Sequence, residues 1–564
     1  MGPMADTGST IDRRTLLLSG AGATAAAVSG LLASPAAAGT AREAAPRSAT
    51  NPAPVYRSVS GWGNNIHHPD RGAVGAAFLR RTPVGYPDGV NTPSGVTRPS
   101  ARVVSNQVCR QVGSALNAQR LTDIAWLWGQ FLNHDLNLIP AADPLERFPI
   151  EVPADDTAFP PGSVIPLSRS AYDVSTGTSR RNPRQQINGF NSYIDGSSVY
   201  GPDEGRMAAL RTIQNFGPVA VFGSTLRVSA GLDGPFMPLN TAGLNNQIVG
   251  PSPAFFLAGD ERANTGVGLM AIHTLFVREH NRLAALIAGE RPTASFEEVY
   301  QLARKWVGAI LQAITYEEFL PAVLGPAAVG PYAGYDPDAD ATMSAEFATF
   351  GFRFGHSMLS PDLLVVGNDD QVLESVRHGN ALLNIGVIQR HGVGPILKGF
   401  ASQVMQEVDV SVIEDMRSIR FPGSPPLDLV AVDLQRARDH GIPGYNQCRR
   451  SFGLKPFRTF AEVTPDPVVR EKLASTYSSV DDIDPLIGGL AEPHTTDSTF
   501  GPLLRAVMIE QFTRMRAGDR LWYQNDPAFT TAEVDAIQRT RLSDLIKRNT
   551  PISNIQDDAF HRPA

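Results

Sequence analysis

Apolar residues recur at three- and four-residue steps in several long segments after residue 120, and this spacing limits the fold more than any other feature. The first segment carries its apolar side chains on one helical face: Leu121, Ile124, Leu127, Trp128, Phe131 and Leu132. Further helices are predicted over Leu269–Ile287, Leu302–Leu320 and the phenylalanine-rich Ser344–Met358. Alternating patterns, which indicate strands, are scarce. The sequence therefore predicts a mainly α fold with little β structure.

The chain divides by composition into an arm and a body. Residues 39–120 are rich in Gly, Pro, Asn and Ser and show little periodicity, which predicts an extended, loop-rich N-terminal arm. Residues 121–564 are predicted to form one large helical domain under that arm. Within the body, residues 140–183 read as a proline-rich loop.

The first 38 residues have the pattern of a targeting signal. Arg13 and Arg14 precede an apolar, Ala-rich run that ends near Ala38, where small residues allow cleavage. Paired arginines before a mildly apolar run indicate a twin-arginine signal peptide, which exports folded proteins out of the cytoplasm. A disordered tail or a membrane anchor is the alternative. No later stretch is expected to be long and apolar enough to cross a membrane.

Charge and cysteine content narrow the classes of partner. The net charge is -7, from 49 basic and 56 acidic residues, with no basic block that could neutralise phosphates. Nucleic acid is therefore not an expected partner, and a small-molecule substrate is. Cys109 and Cys448 are too few for a disulfide framework, and the sequence leaves open whether they pair.

The first predicted helix carries polar residues suited to catalysis. Gln130 and His134 lie four residues apart and project from the same face. Asp135 is turned by roughly 100° and can serve a different site. A single histidine on an apolar helix can equally be a hydrogen-bonded core residue.

A second candidate site lies in a short polar loop. Oxygen-bearing side chains alternate there, and with one carbonyl they suit a hard cation such as calcium. These residues are Asn191, Tyr193, Asp195 and Ser197. An ordinary polar turn is the alternative.

Further segments matter through their order along the chain. They contain Arg262, the run Phe352-Arg353-Phe354-Gly355-His356, and the charged run from Asp433 to Gly441. On its own, the last run could be a buried salt-bridge cluster.

Together these segments resemble the animal haem peroxidase family, over nearly all of the chain after the leader. Other motifs in the same order support the resemblance: Gly63-Asn64-Asn65, Tyr86-Pro87-Asp88-Gly89, Arg102-Val103-Val104-Ser105, Ile314-Thr315-Tyr316-Glu317-Glu318-Phe319-Leu320-Pro321, Gly518-Asp519-Arg520 and Arg548-Asn549-Thr550. Each motif is weak alone, and their number and order make the match specific.

The resemblance implies an enzyme that reduces hydrogen peroxide through ferryl intermediates on haem b, and the leader implies that this enzyme is secreted. The resemblance implies that His134 is the distal histidine beside Gln130, that Arg262 is the distal arginine and that His356 is the iron ligand. It assigns the remaining cofactor-binding positions to Asp433, Arg353 and Arg436. It implies a calcium ion held by Asp135, Asn191, the Tyr193 carbonyl, Asp195 and Ser197.

Three positions depart from the mammalian members of the family, in which esters tie haem to the protein. The ester positions hold Asn133 and Thr265, and neither side chain has a carboxylate. The position of a Met–vinyl link in one mammalian member is Gly266. Non-covalent haem is therefore expected.

Asp433 is a fourth departure, since many relatives have Asn at the position that accepts the proximal histidine hydrogen bond. A carboxylate gives His356 more imidazolate character and lowers the iron reduction potential. Phenols, other organic donors, iodide or bromide are thus expected as electron donors, and chloride is not. The alternative for Asp433 is a salt bridge to Arg436 or Arg438.

The sequence leaves two other functions open. Fatty-acid dioxygenases of the same superfamily carry a radical-forming tyrosine three residues before the proximal histidine, where this chain has Arg353. A non-enzymatic haem-binding or adhesion module has no need of the distal pair His134 and Arg262. The natural electron donor and the oligomeric state are left open by the sequence.

Overall fold

The computed structural model describes residues 55–217, 219–421 and 425–563. The predicted signal peptide, residues 1–38, and the first part of the arm, residues 39–54, lie outside the described residues. Helices dominate the rest, and the predicted mainly α class is confirmed.

The α-helices are α1 Ala101–Val108, α2 Asp123–Leu136, α3 Ser197–Tyr200, α4 Glu204–Leu210, α5 Val267–Glu290, α6 Phe296–Ile314, α7 Leu320–Leu324, α8 His378–Ala381, α9 Ile385–His391, α10 Val393–Ser402, α11 Glu414–Arg417, α12 Leu429–Asp439, α13 Tyr445–Ser451, α14 Phe460–Val463, α15 Pro467–Thr476, α16 Pro485–Ala491, α17 Pro502–Ala517, α18 Thr531–Arg539 and α19 Leu542–Asn549. The π-helical segments are Thr315–Phe319 and Phe347–Gly351, and the 3₁₀ turns are Phe354–His356 and Val480–Asp482.

The strands form three separate antiparallel pairs among the described residues: β1 Ile150–Glu151 with β2 Val164–Ile165, β3 Arg211–Phe216 with β4 Val219–Leu226, and β5 Asp362–Val366 with β6 Val372–Arg377. None belongs to a larger sheet, so the core is built by helices.

Local capping explains where several helices begin. The Ser295 hydroxyl accepts a hydrogen bond from the Glu298 amide at the start of α6. The Asp428 carboxylate accepts one from the Ala431 amide at the start of α12. Such side chains satisfy amide groups that a helix leaves without internal partners.

The predicted helix over Ser344–Met358 is wrong as a single element. The chain instead forms the π-helical segment Phe347–Gly351 and then the short turn Phe354–His356. Glycine at positions 351 and 355 weakens helical continuity. Gly351 also lies so close to α17 that an added Cβ would be 2.3 Å from a Val507 methyl group. The break leaves His356 on a turn.

Contacts with later parts of the chain hold the segment that was predicted as an arm. Residues 55–100 contain no helix and no paired strand, and isolated bridges join Ala77 to Ile187 and Leu79 to Ser344. Helix α1 lies near the end of the arm, with the Ser100 hydroxyl at its N-cap. The arm is therefore held by scattered contacts and one short helix.

One helical segment among the described residues, Phe296–Leu324, is long and apolar enough to cross a membrane. The expectation that no stretch after the leader has these properties is therefore wrong for this segment. Most of its apolar window is buried inside the protein, and it packs against α5. Burial of this kind is typical of a core helix.

Helix α2 runs through the centre of the core and positions the candidate site. It packs against α3, α5, α10 and the turn Phe354–His356. Phe131 of α2 stacks on Phe276 of α5, with ring centroids 5.2 Å apart. Aromatic packing of this kind fixes the helix along most of its length.

Candidate active site

Helix α2 brings a small polar face into an otherwise apolar interior. Twelve of its fourteen residues are buried, including His134 and Asp135, and the exceptions are Gly129 and Gln130. Gln130 lies one turn before His134, as the spacing predicts. The partial exposure of Gln130 indicates open space beside this face.

Arg262 lies beside His134, held by a carboxylate that the sequence reasoning did not single out. Asp260 Oδ2 accepts a hydrogen bond from Arg262 Nη2 at 2.6 Å, and Asp260 Oδ1 lies 3.4 Å from His134 Nδ1. Burial alone raises the pKa of Asp260, but Arg262 and His134 bring it down to about 2. Burial and the Arg262 charge hold the pKa of His134 well below its usual value. The site thus combines a neutral imidazole, a guanidinium and an ionised carboxylate at pH 7.

His356 lies on the turn Phe354–His356, which packs against α2, and is paired with Asp433 of α12. Its Nδ1 donates a hydrogen bond of 2.6 Å to Asp433 Oδ2, and Arg353 lies 3.9 Å from the same carboxylate. With Nδ1 engaged, Nε2 is the ring nitrogen available to a metal.

The alternative salt bridge from Asp433 to Arg436 or Arg438 is absent from the described residues. Arg436 Nη1 donates to the Ser168 carbonyl and the Ser170 hydroxyl, and Arg438 forms a buried pair with Asp484. Arg436 nevertheless lies near enough to Asp433 and Arg353 for their charges to affect its pKa, which burial lowers.

A short hydrogen-bond path joins the His134 group to the His356 group. Arg262 Nη2 donates to the Asn137 backbone carbonyl at 2.8 Å, and the Asn137 side-chain nitrogen Nδ2 donates to the Ala348 carbonyl at 3.5 Å. The same carbonyl accepts a hydrogen bond of 3.0 Å from Arg353 Nε. The residues around His134 are therefore connected to Arg353, which lies beside the His356–Asp433 pair.

The residues present fit a haem. A Cβ added at Gly266, near Arg262, or at Gly355, beside His356, would meet no atom within 4 Å. Both glycines are only partly buried although they lie between core helices. The His356 side chain is 27% exposed, while the carboxylate behind it is 7% exposed. Open space beside both groups and an imidazole backed by a carboxylate are what a haem iron needs.

The predicted calcium residues also come together. Asp135 Oδ1 accepts hydrogen bonds from the backbone and hydroxyl of Ser198, and Oδ2 accepts one from the Asp195 amide. Asn191 donates to Asp195 at 3.2 Å and to the Ser197 hydroxyl at 2.8 Å. The Tyr193 amide donates to the Asn191 side chain. The buried carboxylates of Asp135 and Asp195 therefore lie beside neutral oxygen donors.

Electrostatics in this cluster favour a cation. Burial, followed by the charge of Asp195, raises the pKa of Asp135 to about 7. Arg304 Nη2, 3.4 Å from Asp195, provides one positive charge nearby. No group of three or more His, Cys, Asp or Glu side chains suited to a metal occurs among the described residues, so a cation here needs the hydroxyl, amide and carbonyl oxygens as well.

Cys109 and Cys448 are both buried and form no disulfide with each other in the described structure. Burial raises the pKa of both thiols, so neither is an activated nucleophile. The chemistry of the site therefore belongs to the histidines, Arg262 and the carboxylates.

Asp260 is the main residue that sequence reasoning missed. It stands two positions before Arg262 in the run Gly259-Asp260-Glu261-Arg262, and an acidic residue so placed can turn back onto the arginine. Its proximity to His134 depends on the packing of α2 against the segment before α5, which the sequence does not specify.

A mainly helical body that carries a buried histidine beside an arginine, and a second histidine backed by a carboxylate, has the features of a haem peroxidase. The chain belongs to the animal haem peroxidase family, whose model matches residues 56–560. It is thus a haem-dependent oxidoreductase that acts on peroxide.

Two characterised relatives illustrate the match. Peroxinectin A of Dictyostelium discoideum is 34% identical over 90% of this chain and 96% of its own length. Eosinophil peroxidase of Homo sapiens is 34% identical over 90% of this chain and 76% of its own length. The expected family membership is confirmed.

Solved structures give the same result for the fold. Peroxidase A from Dictyostelium discoideum superposes with a TM-score of 0.82 at 32% identity, covering 90% of this chain and 100% of that chain. A fatty acid alpha-dioxygenase from Oryza sativa superposes with a TM-score of 0.75 at 21% identity, covering 90% of this chain and 87% of that chain. The similarity to the alpha-dioxygenase shows a shared fold and nothing more.

Proposed function

We propose that this peroxidase binds haem b without a covalent link, with His356 as iron ligand and His134, Arg262 and Gln130 on the opposite side. The main support for this proposal is the hydrogen-bond path through the Ala348 carbonyl, which connects the residues around His134 with those around His356. Asn133 and Thr265 offer no carboxylate for an ester bond.

Haem held by His356 would supply the iron at which hydrogen peroxide is reduced. Neutral His134 takes a proton from one peroxide oxygen and returns it to the other, so that water can leave. The Arg262 guanidinium stabilises negative charge that develops as the O–O bond breaks. Gln130, one turn from His134, is placed to hold the peroxide or a water by hydrogen bonding.

Asp433 determines which electron donors the enzyme can oxidise. The Asp433 carboxylate accepts a hydrogen bond from His356 Nδ1 at 2.6 Å, which makes the imidazole a stronger electron donor to a bound metal. A lower iron potential follows, and this excludes the donors that are hardest to oxidise. The donors are therefore small organic molecules, iodide or bromide.

The first prediction concerns the donor range of the purified holoenzyme. With hydrogen peroxide present, guaiacol and iodide are oxidised, and chloride oxidation stays at the level of an enzyme-free blank. Product absorbance for guaiacol, triiodide absorbance, and taurine chloramine formation measure the three reactions. Chloride turnover at a rate comparable to that of iodide would overturn the assignment of Asp433.

Oxygen uptake with linoleate and no added peroxide is the matched assay for the dioxygenase alternative. Arg353, which pairs with the Ala348 carbonyl and lies by Asp433, has no phenol from which a radical could form. We expect no oxygen uptake.

We also propose a calcium ion at Asp135, Asn191, the Tyr193 carbonyl, Asp195 and Ser197. Burial, followed by the charge of Asp195, raises the pKa of Asp135 to about 7, so a bound cation would stabilise the two carboxylates, and the other donors are hard oxygens. Because Asp135 directly follows His134 on α2, the ion holds the orientation of the catalytic histidine.

The second prediction tests this ion. Chelation with EGTA lowers the melting temperature, because a ligand that binds only the folded state at 100 times its Kd adds about 2.7 kcal/mol of stability. Elemental analysis finds calcium in the wild-type protein and in Asp123→Asn, whose buried carboxylate lies at the other end of α2. Asp135→Asn lacks it. Equal calcium content in the two variants would exclude the proposed site.

We infer that residues 1–38 direct export through the twin-arginine route. The paired Arg13 and Arg14, the mildly apolar run and the small residues up to Ala38 support this. A route for folded proteins also suits a cofactor inserted before export.

The third prediction concerns that leader. The exported protein begins at Gly39, and replacement of both Arg13 and Arg14 by Lys leaves the protein in the cytoplasm. N-terminal sequencing and immunoblots of cell fractions measure the two effects. Export of the Lys-Lys variant at the wild-type level would exclude the twin-arginine route.

A further inference from the structure

Asp260 is a fully buried carboxylate with most of its hydrogen bonds directed at one catalytic side chain. Its Oδ1 accepts from the Arg262 backbone amide at 2.7 Å and from Arg262 Nε at 3.0 Å. Its Oδ2 accepts from Nε at 3.1 Å and from Nη2 at 2.6 Å. The Asp260 amide donates to the Ser198 carbonyl, which ties the residue to helix α3 beside α2.

These hydrogen bonds fix the orientation of the Arg262 guanidinium group. Two of its three nitrogens are engaged by Asp260, and Nη2 also donates to the Asn137 carbonyl. Nη1 makes no hydrogen bond to any described residue, and it is not a fully buried atom. It is therefore the nitrogen of Arg262 that remains for a ligand. A planar guanidinium group that is hydrogen-bonded at two of its three nitrogens is held in a single orientation.

The same carboxylate faces the distal imidazole. Asp260 Oδ1 lies 3.4 Å from His134 Nδ1, which is buried and has no hydrogen-bond partner among the described residues. A carboxylate beside Nδ1 favours the tautomer with the proton on Nδ1, and the lone pair then lies on Nε2. Catalytic hydrogen bonds are often long in ligand-free structures and shorten in the complex.

We propose that Asp260 is the positioning residue of the distal site, orienting both Arg262 and His134 toward peroxide. It touches neither peroxide nor haem and acts through these two side chains. This inference rests on the proposed function, because it assumes that His134 and Arg262 act on peroxide. Partners of this kind, one step behind the reacting groups, typically change activity by about 10- to 100-fold when they are replaced.

Asp260→Asn tests the proposal, because asparagine has the same shape but neither the charge nor a second acceptor oxygen. We expect the rate constant for the reaction with peroxide to fall by about 10- to 100-fold. The rate constant for guaiacol oxidation, measured at saturating peroxide, stays at the wild-type value. A merely structural defect would lower both, so the split between the two constants is the diagnostic readout.

Two further variants complete the design. Asp260→Glu keeps the charge but displaces it by one methylene, and we expect a smaller loss confined to the peroxide step. Asp484→Asn is the matched control, since Asp484 is equally buried and bridges Arg98 and Arg438 far along the chain. We expect it to lower the melting temperature without slowing the peroxide step.

The outcomes separate this proposal from the proposed function. A wild-type protein that neither binds haem nor oxidises guaiacol contradicts the proposed function itself. An active wild-type enzyme whose Asp260→Asn and Asp260→Glu variants both react with peroxide at the wild-type rate overturns the role of Asp260 alone. If Asp260→Asn fails to bind haem, the test uses Asp260→Glu instead. A lower rate constant for peroxide with an unchanged rate constant for guaiacol then supports the proposal, and a wild-type rate constant for peroxide overturns it.

Discussion

His134→Ala lowers the second-order rate constant for hydrogen peroxide by about 10² to 10⁴-fold, the usual contribution of a positioned acid–base group. The haem content stays at the wild-type level, because the proposed iron ligand is His356 on another element. Burial keeps the pKa of His134 far below its usual value, so the wild-type imidazole is neutral and able to accept a proton. Stopped-flow absorbance of the haem band after mixing with peroxide measures the rate constant.

His280→Ala is the matched control for this experiment. His280 is also a buried histidine, on α5, but its ring contacts the Tyr200 hydroxyl and the Ser224 carbonyl away from Arg262. We expect the control to lose stability and to keep its reactivity with peroxide. A His134→Ala enzyme that retains haem and reacts at the wild-type rate would remove His134 from the catalytic role.

The helices that could be predicted are those whose apolar periodicity is uninterrupted. Observed α5, Val267–Glu290, extends the predicted Leu269–Ile287 by a few residues at each end. The predicted Leu302–Leu320 contains the observed end of α6 and continues into a π-helical segment. In these segments burial and helix propensity favour the same structure.

The segment before His356 could not be predicted in the same way. Its phenylalanines keep helical spacing, but the close approach of Val507 to Gly351 and the open space at Gly355 are tertiary features. A π-helical segment followed by a turn is therefore set by packing against α17 and by the site itself. Such irregular helices often occur where function places a side chain off the helical path.

The candidate site could be predicted only through the resemblance to a known family. The i, i+4 spacing of Gln130 and His134 is common in ordinary core helices, and it gains meaning only beside Arg262 and His356. The partner of Asp433 could not be chosen from sequence, because Arg436 and Arg438 stood nearer to it along the chain than His356 did. Their pairing with Ser170 and Asp484 depends on the fold.

His356→Ala removes nearly all haem from the purified protein. Neither Asn133 nor Thr265 can form an ester, so ligation by His356 is the only bond expected between protein and cofactor. In the wild type, acidified organic solvent extracts all of the haem for the same reason. The ratio of haem absorbance to protein absorbance measures the loss, and the colour of the organic phase measures the extraction.

His378→Ala provides the comparison for this loss, because His378 is a buried histidine whose Nδ1 contacts the Ser360 carbonyl, only four residues along the chain from His356. Removing it disturbs packing near the site but leaves the proposed ligand in place, so haem content stays near one per chain. If His356→Ala holds haem as well as His378→Ala does, another residue ligates the iron. If acidified solvent leaves haem on the wild-type chain, the cofactor has a covalent bond that positions 133 and 265 cannot supply, and the basis for a non-covalent site at His356 fails.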